Sequence, residues 1–531
     1  MRLTPLSPRA LRRWTGLLVA ALALSIGSGC KVTSEDIEYW KGTVKGPGKI
    51  VAVMLAERYP IELRTQAAQA LVEMERNDVN GVGELQRALA TLKAQDPEAA
   101  QQIVDGMVPA LQSMMRGGED AQQSDDLGPP MSQQRAKDAA YLLVEHAGPQ
   151  ARQQLTEAVV GWYAVDFAER HLAGDYSAEQ VVRSLGAPAA DQLVSAMSSH
   201  QPQQALVKIA ELIGQIGNEQ TKQRAGERLV EIEQEMEGDE FVQWLQGRIT
   251  ESLEEAGREI DENRVRAIAL LNRENFINDG ALPAMKHLAH VDAVRNRLLA
   301  VAQAAPPEDA PGPLIESLNM RRQKALQALE GNASADQLDA LLGIALNEEN
   351  PVNVRDYAFD RVGDIRDRRA IPRLWPLVEF AENEDLGKRL RWRAGELVLA
   401  IGGAEIVGEF LSRLPSDRGV EYEPEELAGY ATRMSQMTPQ PVDVLERQLR
   451  SPNWYNKVIA LRFTERRGTE ADVAKMRRLA SDRTETVGDG WARQELETVG
   501  KVAENAIEAL QERLAEPEEG EAGGEGEAAG E

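Results

Sequence analysis

The sequence predicts an all-α chain folded as a solenoid of stacked antiparallel helix pairs. Three observations carry that expectation. Hydrophobic residues make up 42% of the 531 residues but aromatics only 5%, so Ala and Leu supply the apolar surface, a mix suited to helix packing rather than to a β-sandwich. From Ile50 onward the apolar residues follow a helical period, in segments of roughly 12–18 residues punctuated by Gly, Pro or Asn-Asp. A spaced motif also returns along the chain, which is the signature of a repeat array.

The first 29 residues stand apart. They hold Arg2, Arg9, Arg12 and Arg13, no acid, and an apolar run from Leu17 to Ile26. About ten apolar residues are too few for a bilayer core, which needs ~20. A basic start, a short apolar stretch and Gly27-Ser28-Gly29 read as a secretory signal with a small-residue cleavage site. Cys30, the only cysteine in the chain, follows at once. The arrangement resembles a bacterial lipoprotein signal, with Gly27 standing where that family prefers Leu. The resemblance implies that Cys30 is acylated and becomes the new N-terminus, so that lipid alone holds the body to a membrane of the bacterial cell envelope. Several acyl chains, at ~0.8 kcal/mol per buried CH₂, make a firm anchor. Lys31 stands where an Asp often signals inner-membrane retention, which points to the outer membrane. Arg12-Arg13 leaves a twin-arginine export route open beside the general one.

Charge narrows the function classes. The chain has 60 basic and 86 acidic residues, a formal net charge of −26. Removing residues 1–29 takes away four arginines and no acid, and deepens the charge to −30. A general nucleic-acid binder needs a basic footprint, so no nucleic-acid partner is expected. A lone Cys excludes an intrachain disulfide and a Cys-x-x-Cys metal site.

The remaining segments follow in order. Residues 30–49 are polar, with three Gly and one Pro, and read as the lipid anchor and its tether. Residues 50–116 form a first helical block, and 117–130 (GGEDAQQSDDLGPP) an acidic, Pro-containing loop. Residues 131–303 form a middle block. The stretch 304–313 (AAPPEDAPGP) reads as an extended Pro-rich linker. Residues 314–515 form the last block, and 516–531, with seven Glu among Gly and Ala, a disordered acidic tail.

The repeated motif has a mechanical meaning. Pro60-Ile61-Glu62-Leu63-Arg64 leads to Ala67, Leu71 and Met74; Pro351-Val352-Asn353-Val354-Arg355 to Ala358, Val362 and Ile365; Gly387-Lys388-Arg389-Leu390-Arg391 to Ala394, Val398 and Ile401. Val265-Arg266 with Ala269 matches the front half. Pro202 before Ile209, Ile213 and Ile216, and Pro452 before Ile459 and Phe463, match the apolar half. Such spacing lays one apolar stripe along a helix, with Pro or Gly marking its start. The small Ala admits a neighbouring helix, and only the next helix pair can cover so narrow a stripe.

The segment Pro351 to Leu377 resembles HEAT repeats, especially the HEAT-like repeats of the phycobilin lyase group. There a Gly-Asp-x-x-Asp-x-Arg-Ala-Ile-Pro turn joins one repeat to the next helix, and Gly363-Asp364-Ile365-Arg366-Asp367-Arg368-Arg369-Ala370-Ile371-Pro372 reproduces it. The resemblance is clear over 350–415 and fair over 50–90 and 200–232. It implies a HEAT-like α-solenoid, in which Arg355, Asp364 and Asp367 serve a structural ladder between adjacent units.

Candidate chemistry is thin. The chain holds no Gly-x-Ser-x-Gly, no His-Glu-x-x-His and no Walker loop, so neither a catalytic residue nor a cofactor is assigned. His287 and His290, three apart and near Asp279 and Asp292, lack an evident third ligand, and no metal is expected. Asp78-Val79-Asn80-Gly81-Val82-Gly83 fails as a calcium loop and reads as an inter-helix turn. Gly488-Asp489-Gly490 lacks the third glycine of a nucleotide fingerprint. One local charge feature stands out: from Arg355 to Arg393 ten basic and eight acidic residues make the segment net positive. Arg389 and Arg393 share a helix face with Trp392 beside them, a candidate partner-docking patch, since Arg and Trp are frequent interface anchors. The alternative is a packed Trp flanked by ladder arginines.

The function expected is a lipid-anchored, non-catalytic HEAT-repeat scaffold that binds a protein or peptide partner at the envelope. Two others stay open. One is a lyase or chromophore-attachment factor of the phycobilin-lyase type, the other a structural spacer with no dedicated partner.

Overall fold

The computed structural model describes residues 31–74, 80–116, 131–165, 178–379, 385–415 and 421–515. Residues 1–29, read above as a signal, Cys30, and residues 117–130 and 516–531, read as an acidic loop and a tail, lie outside the described residues. The chain divides into two compact units, Met1–Thr221 and Lys222–Glu531. Among the described residues the structure is all helix and loop, apart from one isolated bridge between Glu485 and Thr498. None of the described helices is long and apolar enough to cross a membrane.

The first unit runs α1 (Ser34–Lys41), α2 (Gly46–Leu55), α3 (Ile61–Glu73), α4 (Gly81–Gln95), α5 (Pro97–Arg116), α6 (Met131–Leu143), α7 (Pro149–Val165), α8 (Ala178–Leu185), α9 (Ala187–Ala196) and α10 (Gln203–Ile216). Its helices alternate between two layers. Helices α1, α3, α5 and α7 pack side by side in one, and α2, α4 and α6 in the other. The polar segment 31–49 does not run as a tether. Thr33 and Asp36 form a reciprocal capping box that starts α1, Ile37 is fully buried, and Lys41 pairs with Glu73 of α3 at 2.8 Å. One buried aliphatic and a good cap thus dock a helix whose composition reads as linker.

The second unit holds α11 (Glu219–Glu237), α12 (Asp239–Glu255) and α13 (Glu262–Phe276), then a π-helical turn over Ile277–Ala281 and α14 (Leu282–Lys286). Next come α15 (Asp292–Gln303), α16 (Gly312–Ala328), α17 (Leu338–Leu346), α18 (Val352–Ile365), α19 (Ile371–Val378), α20 (Asp385–Gly402) and α21 (Val407–Arg413). The last are α22 (Pro424–Ser435), α23 (Val442–Gln448), α24 (Trp454–Arg467), α25 (Glu470–Met476), α26 (Asp489–Arg493) and α27 (Val499–Ala515). Here α16, α18, α20, α22, α24 and α27 form a continuous row, each packed on the next. Shorter helices such as α15, α17, α19, α23 and α25 pair with members of that row. This is the HEAT-like solenoid of stacked helix pairs.

The stripe of the repeated motif is the core. Ala67 and Leu71, Val354, Ala358 and Val362, and Ala394 and Val398 are all fully buried. Pro60, Pro351 and Pro202 each stand just ahead of a helix, whereas Gly387 lies inside the first turn of α20. The motif arginine has its own repeated job. Arg64 donates Nε–H to the Met54 carbonyl at 2.8 Å, ten residues back, and Arg355 donates to Ala345 at 3.0 Å, also ten back. Each reaches a carbonyl in the last turn of the preceding helix, where the orphan acceptors and the negative dipole end favour a cation.

The ladder is distributed differently from the expectation for Arg355, Asp364 and Asp367. Asp364 does cross between units, accepting from Gly331 N at 3.2 Å. Asp367 instead caps its own turn, and Arg355 stays within its own helix pair. Side chains elsewhere on the row make the crossings: Asp356 to Arg389, Asp360 to Arg393, and Glu396 to Arg433 at 3.3 Å.

The few aromatic residues concentrate near the end of the row. Phe410 meets Tyr430 edge-on at 5.0 Å, Tyr422 meets Tyr455 at 5.0 Å, and Trp454 meets Trp491 at 5.4 Å. Trp491 donates Nε1–H to the Tyr422 carbonyl at 2.7 Å, which satisfies the buried indole.

Candidate functional site

The residues singled out by local charge lie on α20. Arg389 is exposed, and Trp392 and Arg393 are half-buried. Both arginines are engaged by α18, Arg389 with Asp356 and Arg393 with Asp360. Trp392 faces Gly429 of α22, where an added Cβ would stand 3.4 Å from the indole nitrogen. The indole N–H is buried without a hydrogen-bond partner, as is Oε1 of Glu396 one turn on. The structure therefore brings the three predicted residues together on one helix, with both guanidinium charges matched inside the fold.

The other motifs resolve into turns. Asn80 caps α4 by accepting from Gly83 N at 2.7 Å, while Asp78 and Val79 lie outside the described residues. His287 closes α14 and His290 lies in the following turn. Among the described residues no three of His, Cys, Asp and Glu converge as a metal site. Gly488 precedes the short α26 with φ of 123°.

A second cluster, which sequence reasoning missed, is denser in charge and more deeply buried. It lies where α11, α13, α15 and α16 meet in the second unit. Glu233 of α11 and Glu274 of α13 are fully buried. Arg297 of α15 binds Glu233 through Nε at 2.6 Å and Glu237 through Nη2 at 2.5 Å. Arg321 of α16 reaches both Glu233 and Glu237, and Arg273 pairs with Glu274 at 2.7 Å. Burial on its own raises the Glu237 carboxyl, but Arg321 and Arg297 outweigh it and hold the group below its ordinary value.

Arg322 differs from its neighbours. It is 4% exposed and donates Nε–H to the Ala302 carbonyl at 2.9 Å and an Nη2 hydrogen to Asn350 Oδ1 at 2.7 Å. Burial alone pushes its guanidinium below the ordinary arginine value. It repeats the helix-capping device of Arg64 and Arg355, with an interval of twenty residues in place of ten. The longer interval admits a longer Pro-rich loop and extra turns at the start of α16. These line a cavity of about 320 Å³ through Pro306, Pro307, Leu314 and Leu318, together with the arginines Arg273, Arg297, Arg321 and Arg322, and Glu237. The start of the Pro-rich stretch, Ala304 to Pro307, thus lines the cavity between two packed helices.

Several buried polar atoms at this junction accept or donate no hydrogen bond: Arg321 Nε, Glu274 Oε2 and Asn278 Oδ1. Asn278 belongs to the π-helical turn directly after α13, and its amide donates to the Ser317 carbonyl of α16 at 3.2 Å. Turns of that kind recur at functional sites. The sequence signal was present in one place. Aligning Arg322 with the motif arginine puts Arg321, not Val or Leu, at the first stripe position, followed by the expected Ala325 and Leu329.

No protein-family model and no curated protein matches the chain. Among solved structures it is similar to Kap121p bound to Pho4p, at 14% identity over 92% of this chain and 50% of that one, with a TM-score of 0.36. It is also similar to the karyopherin Kap121p bound to the SUMO protease Ulp1p, at 15% identity over 93% of this chain and 49% of that one, TM-score 0.36. Importin beta is matched at 12% identity over 96% of this chain and 76% of that one, TM-score 0.23. The chain spans about half the length of the Kap121p structures it matches.

Proposed function

We propose that this chain is a lipid-anchored, non-catalytic scaffold that holds a protein or peptide partner at the bacterial cell envelope, on the outer-membrane side of export. The observation that carries the binding half is the continuous row α16–α18–α20–α22–α24–α27, which offers side chains from successive helices on one extended face. Faces of this kind suit an elongated partner better than a small substrate. Arg389, Trp392 and Arg393 lie on that row and are the proposed contact residues. The anchoring half rests on Cys30 and the signal-like segment before it.

Two measurements test the two halves separately. Cys30→Ser is expected to move the protein from the membrane to the soluble fraction and to abolish acyl labelling; retention with label elsewhere refutes the anchor. Crosslinking in intact cells is expected to yield one stoichiometric protein partner, lost in Trp392→Ala with the helical dichroism unchanged. A partner captured equally by that variant removes Trp392 from the interface, and no stoichiometric partner refutes the scaffold.

A further inference from the structure

We infer that the cavity under Pro306 and Pro307 is a binding site for an aliphatic carboxylate, whether a free small acid or the C-terminal residue of a peptide. The inference is independent of the scaffold reading.

Charge makes the first argument. Four guanidinium groups, of Arg273, Arg297, Arg321 and Arg322, face three carboxylates, of Glu233, Glu237 and Glu274. Arg322 is the cation left over. Its two hydrogen-bond acceptors, a backbone carbonyl and an amide oxygen, are both uncharged. The end of α15 favours this cation as the preceding helix ends do at Arg64 and Arg355, but here the guanidinium also lines a cavity in which an anion can sit beside it. The planar fork of a guanidinium matches a carboxylate in shape as well as charge.

Shape and surface make the second. About 320 Å³ lies at the small end of ligand sites, and Val301, Pro306, Leu314 and Leu318 line it beside the four arginines and the ion-paired Glu237. A ligand suited to this mixed lining has one anionic end and a short hydrocarbon body. A phosphosugar would leave its hydroxyls against leucine and proline.

The test uses the full-length protein and calorimetric titration with hexanoate, hexanamide, N-acetyl-dileucine and its C-terminal amide. Hexanoate is expected to bind saturably and hexanamide at least about tenfold more weakly. Leu318→Trp fills the apolar side while leaving every arginine in place, and is expected to weaken hexanoate at least about tenfold with an unchanged melting curve. Arg322→Gln is expected to remove the preference for acid over amide. Competition of N-acetyl-dileucine with hexanoate, with no competition from its amide, identifies a peptide terminus as a source. Failure of the dipeptide beside binding of hexanoate identifies a free acid. Acid and amide binding alike, no saturable hexanoate binding, or full hexanoate affinity in a folded Leu318→Trp protein overturns the inference.

Discussion

Arg355 sits 3% exposed with its Nε on the Ala345 carbonyl, so its removal leaves a buried acceptor at the end of α17. Arg355→Ala is expected to cost about 1–3 kcal/mol in urea unfolding, the penalty of an unsatisfied buried group. Two glycines on facing helices make a contrasting pair. A methyl at Gly395 would run into the Tyr430 phenol, whereas at Gly429 the nearest atom is 3.4 Å away. Gly429→Ala should therefore stabilise by roughly 0.5–1 kcal/mol through helix propensity, while Gly395→Ala destabilises. Two carboxylates give opposite pH signatures. Burial raises the Glu396 carboxyl, and Arg433 and Arg393 only partly oppose it. Its contribution is present below the unfolded glutamate range and is lost as pH rises through the folded value, so Glu396→Gln gains on the wild type towards neutral pH. Glu237 is held low, so its contribution is present at neutral pH and lost as pH falls through its folded value. Glu237→Gln should accordingly be destabilised at pH 7 and converge on the wild type in acid. Chemical denaturation across that pH range reads both, and curves of the same sign would reject the assignment. The stripe residues Ala358, Val362 and Ala394 were legible in the sequence because their spacing is periodic. Arg321 shows locally only as a charge at a stripe position, because its partners Glu233 and Glu237 come from a helix far away in the chain and no local pattern pairs them.

Helix pairs are the unit of stability, and each stripe is covered by its neighbours. Ala358 lies fully buried in α18, which packs between α16 and α20. Ala358→Leu is expected to overpack those contacts and cost ~1–3 kcal/mol. Hydrogen exchange should show the loosening in α16, α18 and α20 and leave α27 protected, as nearest-neighbour stability requires. Loss of protection at α27 as well would show a single cooperative block. Element boundaries were legible where proline or a cap marks them, as at Pro351 and Pro60. They were misread where composition misleads. The segment 31–49 is polar enough to read as linker, yet Thr33, Asp36 and Ile37 suffice to place α1. The stretch 304–313 reads as an extended linker, yet with α15 packed on α16 its first residues, Ala304 to Pro307, line a cavity.

A net charge of −26 repels itself across the whole chain. The ion pairs that salt would weaken are mostly exposed or half-exposed, each worth about 0–1 kcal/mol. Screening the general repulsion is therefore expected to outweigh their loss, and raising salt from dilute to near-molar should lift the melting temperature by about 2–4 °C for each kcal/mol relieved. A fall instead would show that the inter-helix pairs dominate. The buried Arg321 has a further bearing at this scale. A row of look-alike helices can be stacked one step out of place with little penalty, because each stripe accepts its neighbour's neighbour almost as well. A charge standing at one stripe position, matched by Glu233 and Glu237, finds no answering acid after such a slip, so it fixes the register of the assembly as a polar residue does in a coiled coil.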